Sequence, residues 1–357
     1  MRDVRISSIQ LAFIIIGFTF GEAAILNPSS NARQDAWLVN VLALIGGLIL
    51  VSVYTTISSL HPGKTLIDIL RATFGRYAGN FVAILYLWYF IHVLSLVLRS
   101  FMEFMASTLY IRTPILFMAI CLMIVALYTV KKGLEVIARV SELLVPMLIV
   151  TIIFLFLALI TEYDIQNFLP FLEFGMRPVL KASVHMTTFP FGETVVFLMI
   201  FPHLNNKSQT FKISLFSILS IGIILLSVTT RDLLVLGPDM LERMTYPNYA
   251  STKMMPIIDI EAFIATNLLI GGGVKIVVLL YAISMGIAQF FKLDDYKPLV
   301  LPVSFICISL SLWIFDSLID KILWEETVYP YYAIPFQLII PLLILIISLM
   351  KKKKLAE

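Results

Sequence analysis

Ten apolar stretches of membrane-crossing length follow one another along this sequence, at roughly residues 8–27, 38–60, 80–105, 114–130, 141–160, 179–203, 211–235, 273–291, 299–316 and 333–350. A hydrocarbon layer of about 30 Å needs about 20 helical residues to cross it. With no water inside that layer, each segment must satisfy its own backbone N–H and C=O groups, which a helix does. The pattern predicts an all-α integral membrane protein with ten transmembrane helices, numbered here as spans 1 to 10. The connections leave no length for a soluble domain, so residues 1–357 read as a single membrane domain embedded in the lipid bilayer. Composition agrees: 60% of the residues are hydrophobic and 14% charged, whereas soluble domains carry about 25% charged residues. Span 1 follows Arg2 and Arg5 as a signal peptide would, yet it ends in Leu26-Asn27-Pro28 without a small-residue cleavage pattern. It is therefore expected to be retained as a helix.

Basic residues outside the spans set the expected orientation. With the amino terminus inside, sixteen Lys and Arg fall on the cytoplasmic side and nine, among them Arg231, Lys275 and Lys321, on the outer side. Both termini are then cytoplasmic, as an even number of spans requires. The net charge of +3 follows from this asymmetry and implies no nucleic-acid partner. Cys121 and Cys307 lie inside apolar spans, without metal or redox spacing. No Walker-type loop, HExxH, GxSxG or paired-cysteine pattern occurs, so no enzymatic activity, cofactor or metal is expected.

One tripeptide occurs twice, as Phe20-Gly21-Glu22 in span 1 and Phe191-Gly192-Glu193 in span 6, about half a chain length apart. Each copy sits where a membrane helix is expected to fail. Gly17 and Gly21 flank the first, with Pro28 beyond it; Pro190, which lacks an N–H and clashes with the preceding turn, adjoins the second. Backbone that leaves the helix inside a bilayer is tolerated where it lines a cavity. Paired interruptions in corresponding segments of two halves point to a binding site. The candidate ligand-binding residues are Gly17, Phe20, Gly21 and Glu22 at the first break, and Phe189, Phe191, Gly192 and Glu193 at the second. Thr187, Thr188 and Thr194 supply hydroxyls for the freed backbone there.

Other polar groups in the spans are fewer. Trp88, His92, Ser95, Arg99 and Glu103 fall on one face of span 3. Ionisable groups in a span face a cavity or one another. His92, near the level of the first break, reads either as a ligand contact or as a hydrogen-bonded interior histidine. Arg99 and Glu103, four residues apart, read either as a structural or vestibule ion pair or as a gating pair. Ser284 in span 8 is a further candidate ligand contact. In the outer segment Gly237 to Asn267, residues 257–264 read as a re-entrant or lid helix, or as a surface amphipathic helix. A short amphipathic helix is predicted after Gly63, with Thr65 and Asp68 at capping-box spacing and Leu66, Ile67, Ile69, Leu70 and Phe74 on its apolar side.

Two halves of five helices, about residues 1–165 and 177–350, with helices 1 and 6 discontinuous, resemble the five-plus-five inverted repeat of the amino acid-polyamine-organocation transporter superfamily. More narrowly, Ile6-Ser-Ser-Ile-Gln10 leading into Gly17-Phe-Thr-Phe-Gly21, the stretch from Phe189 through Pro-Phe-Gly-Glu to Pro202, and Lys292 to Pro302 resemble the spore germination B-subunit family. That resemblance implies the membrane subunit of a nutrient germinant receptor in the spore inner membrane, assembled with an A subunit and a lipoprotein C subunit. It also implies a small nutrient ligand, often an amino acid. A departure stands at Glu22, where many relatives are expected to carry a small residue. Some proton-coupled relatives of the architecture place a Lys in helix 5 where sodium would otherwise sit, and span 5 has no interior Lys. Ser284 by itself is too little for a sodium site.

In this setting the backbone amides at the first break suit a ligand carboxylate, and carbonyls or a glutamate suit its ammonium. Glu193 reads equally as the ammonium acceptor or as a helix cap. Glu22 reads as a selectivity group, a protonated hydrogen-bond donor or a structural cap. Sensing and transport can use one such site, so the alternative function is an amino acid transporter, proton-coupled or uncoupled.

Overall fold

The computed structural model describes residues 5–24, 26–255 and 261–356. Arg2 and the first part of the 257–264 segment lie outside the described residues. Helix α1 (Ser8–Phe20) begins with a capping box: the Ser7 hydroxyl accepts the Gln10 N–H, and the Gln10 side chain accepts the Ser7 N–H at 2.9 Å. The helix stops at Phe20, one 3-10 turn follows at Glu22–Ala24, and residues 26–29 are not helical. Then come α2 (Ala36–Leu60), α3 (Leu66–Phe74), α4 (Arg76–Phe104), α5 (Ile115–Lys132) and α6 (Leu134–Ala158).

The second half opens with α7 (Met176–Met186). A wide turn at Thr187–Phe191 follows, in which Phe189 is extended (φ −128, ψ 113), and then a 3-10 helix at Gly192–Met199. Helix α8 (Thr210–Arg243) bends at Gly237, whose φ of 74 suits a residue without Cβ. It is followed by α9 (Pro247–Lys253), α10 (Glu261–Phe291), α11 (Lys297–Trp313), α12 (Leu318–Thr327), α13 (Tyr329–Ile334) and α14 (Ile340–Ala356).

Among the described residues, seven helical segments are long and apolar enough to cross a membrane, and the pair α11 and α12, bent by 99°, makes an eighth if taken as one. Helix α1 is apolar but shorter. Helix α10 forms the centre, with 83% of its most apolar window buried, while α5, α6 and α14 turn most of their apolar surface outward. Close approach to α10 depends on small residues. A Cβ on Gly271 would stand 2.8 Å from the Phe20 ring, and one on Gly272 would stand 2.8 Å from Phe101. The two interrupted segments are tied where they begin and end: Ile6 N–H donates to His203 O, and Asn205 N–H donates to Ile6 O, both at 3.0 Å.

The structure corrects several expectations. Span 8 starts at Glu261 rather than at residue 273, so Gly271 and Gly272 lie within a helix instead of preceding one, and Lys275, counted on the outer side, lies well inside it. The glycines look like loop in sequence because the rings that fill the space beside them come from elsewhere in the chain. Lys275, Arg231 and Lys321, three of the nine residues assigned to the outer side, are buried. Helix α3 forms with Leu66, Ile67, Ile69 and Leu70 buried, but Thr65 does not cap it. Its hydroxyl donates to Gln289 Oε1 at 2.6 Å. Helix α3 is held instead against the end of α10, whose Gln289 and Phe290 carbonyls accept from Arg71.

Candidate functional site

Lys275 sits at the middle of the molecule with no surface exposed. Its Nζ is 2.6 Å from Glu193 Oε2 and 3.4 Å from Glu22 Oε2, and it lies over the rings of Phe189 at 4.7 Å and Phe18 at 5.8 Å. One ammonium on α10 therefore holds the glutamates of both repeated tripeptides. The Tyr329 hydroxyl donates to Glu193 Oε1 at 2.5 Å. Glu22 Oε1 is buried and has no hydrogen-bond partner. Two carboxyls face one amine here, so in their ordinary ionic forms the cluster has a formal charge of −1.

A cavity of about 190 Å³ opens from this cluster towards the loops. Its deep wall is formed by Glu22, Glu193, Phe189, Tyr329 and His185; further out come Asn27, Pro28, Ser30, Asn31, Glu242 to Thr245, Glu325 and Glu326. Five glutamates and one arginine, Arg243, line it. The volume lies below the ~300–1,000 Å³ of pockets for drug-sized ligands, which sets a small polar molecule as the natural occupant.

The non-helical backbone at the second break is satisfied from helices opposite it. Gln337 Nε2 donates to Thr188 O at 2.9 Å and to the Tyr89 hydroxyl at 2.7 Å, and Tyr54 OH donates to Gln337 O at 2.6 Å and Gly192 O at 3.2 Å. The Thr188 hydroxyl donates to His185 O at 2.8 Å, and that of Thr194 to Phe191 O at 2.5 Å. At the first break, Gly21 N–H donates to Gly17 O at 3.1 Å. That amide is therefore spent within the chain, and the groups presented to the cavity are the carboxylates.

Of the residues singled out in sequence, Glu22, Phe189 and Glu193 reach the cavity wall. Phe20, Phe191, Gly17, Gly21 and Gly192 make the close packing behind it. The Phe191 ring fills the space over Gly47, a Cβ on Gly17 would meet Val145 at 2.8 Å, and one on Gly21 would meet Lys275 Cδ at 3.1 Å. A Cβ on Gly192 would collide with Gln337. His92 stands apart from the cavity, stacked on Trp88 and edge-on to Trp324 and Tyr332. Ser284 is buried nine residues beyond Lys275 on α10, about 13 Å along the axis, with an unpartnered hydroxyl. Arg99 Nε pairs with Glu103 at 2.6 Å, while its Nη1 donates to the Ser311 and Leu312 carbonyls. The pair thus closes the end of α11 rather than the cavity wall.

Sequence reasoning missed Lys275, Tyr329 and Gln337. For Lys275 a signal was present: between Glu261 and Lys292 it is the one charged residue, and a lone charge inside an apolar run belongs to a partner in the interior. The other two carried no signal, because their roles come from the turn they face.

The fold is shared with proteins of known structure, transporters among them. A nucleobase-cation-symport-1 family transporter, MHP1, superposes with a TM-score of 0.70 at 14% identity, covering 91% of this chain and 75% of that one. MhsT, solved in complex with L-phenylalanine, superposes with a TM-score of 0.62 at 16% identity, covering 98% and 99%. In sequence, the chain is 32% identical to spore germination protein KB of Bacillus subtilis (strain 168), over 99% of this chain and 97% of that protein. It is 24% identical to spore germination protein YndE of the same organism, over 98% of each. A family model described as spore germination protein matches residues 5–322. On that match and the near-complete alignment to its relatives, the chain belongs to the spore germination protein family, integral membrane proteins built on a transporter fold.

Proposed function

We propose that the chain is the membrane subunit of a nutrient germinant receptor in the spore inner membrane, with both termini cytoplasmic and with A and lipoprotein C subunits as partners. Its cavity takes a small nutrient bearing an ammonium group, with amino acids as the leading class. The observation that carries this reading is Glu22 Oε1: a buried carboxylate oxygen without a partner, on the wall of an acidic cavity. An unsatisfied buried acceptor costs free energy until a donor reaches it, and an ammonium is the donor that also matches the charge. The carboxylate of a zwitterionic ligand then points outward, towards Arg243.

A ten-span, five-plus-five arrangement underlies this proposal. The seven long helical segments leave out α1, residues 176–203 and α11; counting these makes ten, with the irregular members first and sixth. Ligand on Glu22 and Glu193 biases the equilibrium between the two halves, since Lys275 ties both glutamates to α10. In a receptor the shift passes to the partner subunits.

The likeness to transporter structures favours one second reading, an amino acid transporter using the same cavity. The test is a screen of single nutrients on spores carrying this receptor alone, with Glu193→Gln at matched membrane levels. Response to an amine-bearing nutrient that Glu193→Gln abolishes or retunes supports the site; an unchanged response removes it. Flux of the same nutrient into liposomes, without need of the other subunits, would favour the transporter.

A further inference from the structure

A second hollow lies where α2 ends and α8 begins, on the membrane face opposite the mouth of the acidic cavity. Between α2, α8 and α14 runs an apolar groove of about 450 Å³, walled by Ile45, Leu48, Ile49, Val53, Leu215 and Leu345. Ile45 and Ile49 are exposed, so the groove opens sideways to whatever surrounds the spans. At one end Thr56 is shared with a second space of about 440 Å³ whose chemistry differs. Lys207 brings an ammonium to it and no carboxylate lies on its wall; Ser58, Ser59, Ser208 and Thr210 also line it, the hydroxyls of the last three donating to Thr56 O, Asn206 Oδ1 and Lys207 O. The turn at Gly63, in the left-handed region at φ 79, passes close enough that a Cβ there would stand 3.7 Å from Lys207 Nζ. Among the described residues Lys207 has no ion pair, and its side chain is exposed. Lys351 adds to the positive face, reaching the Ala72 and Thr73 carbonyls nearby.

An apolar channel along the lipid-facing side of three spans, ending in hydroxyls and an unpaired ammonium where the helices end, matches one class of molecule in both halves. We infer that it binds a phospholipid with an anionic head group, the acyl chain along α2 and the phosphate on the Lys207 ammonium. A free phosphate matches only the polar end. A zwitterionic lipid fills the groove but gains less from the ammonium, since a basic residue at a membrane face favours anionic lipid by about fivefold.

The full chain, purified in detergent with a mixture of phosphatidylglycerol and phosphatidylcholine and weighed intact by native mass spectrometry, tests this. Retention of phosphatidylglycerol over phosphatidylcholine by about fivefold is expected, with the preference lost in Lys207→Gln and kept in Lys207→Arg. Leu48→Trp, which fills the groove, should lower retention of both lipids. The proposal is overturned if Lys207→Gln keeps the preference, or if inorganic phosphate raises the melting temperature of wild type as much as phosphatidylglycerol does. Because Lys207 is exposed, its substitutions leave the packed core untouched, whereas Leu48 packs partly against that core, and the melting temperature of each variant in phosphatidylcholine checks that the fold is kept.

Discussion

Two buried charge clusters in this protein are built from the same kinds of group and differ in what surrounds them. Arg231 and Asp232, adjacent on α8, form an ion pair at 2.6 Å with almost no exposed surface. Ser251 donates to the same Asp232 oxygen at 2.6 Å, and Arg231 also donates to Asn248. One cation meets one anion, and neither residue lines the acidic cavity. Lys275, by contrast, meets two glutamates, both of which lie on the cavity wall. The first cluster is balanced in charge and locks α9 onto α8, although Asp232 Oδ2 also lacks a hydrogen-bond partner. The second lacks one positive charge, and its vacant oxygen faces space sized for a small molecule. Burial alone does not separate a structural ion pair from a binding site; charge balance and access do.

This contrast can be broken or sharpened by experiment. The largest effect is expected from Arg231→Met, which leaves Asp232 buried and unpaired, at a cost of about 3–5 kcal/mol. Thermal unfolding and membrane level should fall sharply, while the ligand preference of surviving protein stays as in wild type. A changed preference at full stability would erase the distinction between the clusters. Next comes Glu22→Gln, for which stability should fall far less than in Arg231→Met, because Oε1 has no partner to lose and Lys275, giving up Glu22 Oε2 at 3.4 Å, keeps Glu193 at 2.6 Å. Affinity for an amine-bearing ligand should fall about tenfold or more, the value of a hydrogen bond to a charged group, as read by calorimetric titration. A stability loss comparable to that of Arg231→Met would make Glu22 structural instead.

The smallest effect belongs to a group at the membrane face. Desolvation, followed by repulsion from Lys64 and Lys351, lowers the pKa of His61 below its ordinary value of 6.5. The unfolded chain then binds the proton more readily, so the contribution of His61 is present above about pH 6.5 and is lost as pH falls through the lowered value. His61→Gln, with the Ser348 contact at 2.8 Å removed or weakened, should flatten the pH dependence of the melting temperature in that range. An unchanged slope would assign it to other groups.

Apolar length, the two Phe-Gly-Glu copies and Pro190 let the sequence alone determine a helical membrane protein and the neighbourhood of a polar cavity, because those properties reside in residues close together along the chain. The amphipathic face of α3 was legible for the same reason. That Lys275 would meet the glutamates of both breaks, and that Gln337 would serve the turn at Thr188, depended on segments far apart in sequence. His92 shows the converse: on a polar face with helical spacing it stacks on Trp88 of its own helix, and the packing of α12 and α13 against α4 adds Trp324 and Tyr332. Local chemistry restricts which backbone each segment can adopt, whereas the pairing of charges across helices follows from how those helices pack. The number of cations meeting Glu22 and Glu193, on which the proposed binding site depends, was therefore decided by tertiary structure.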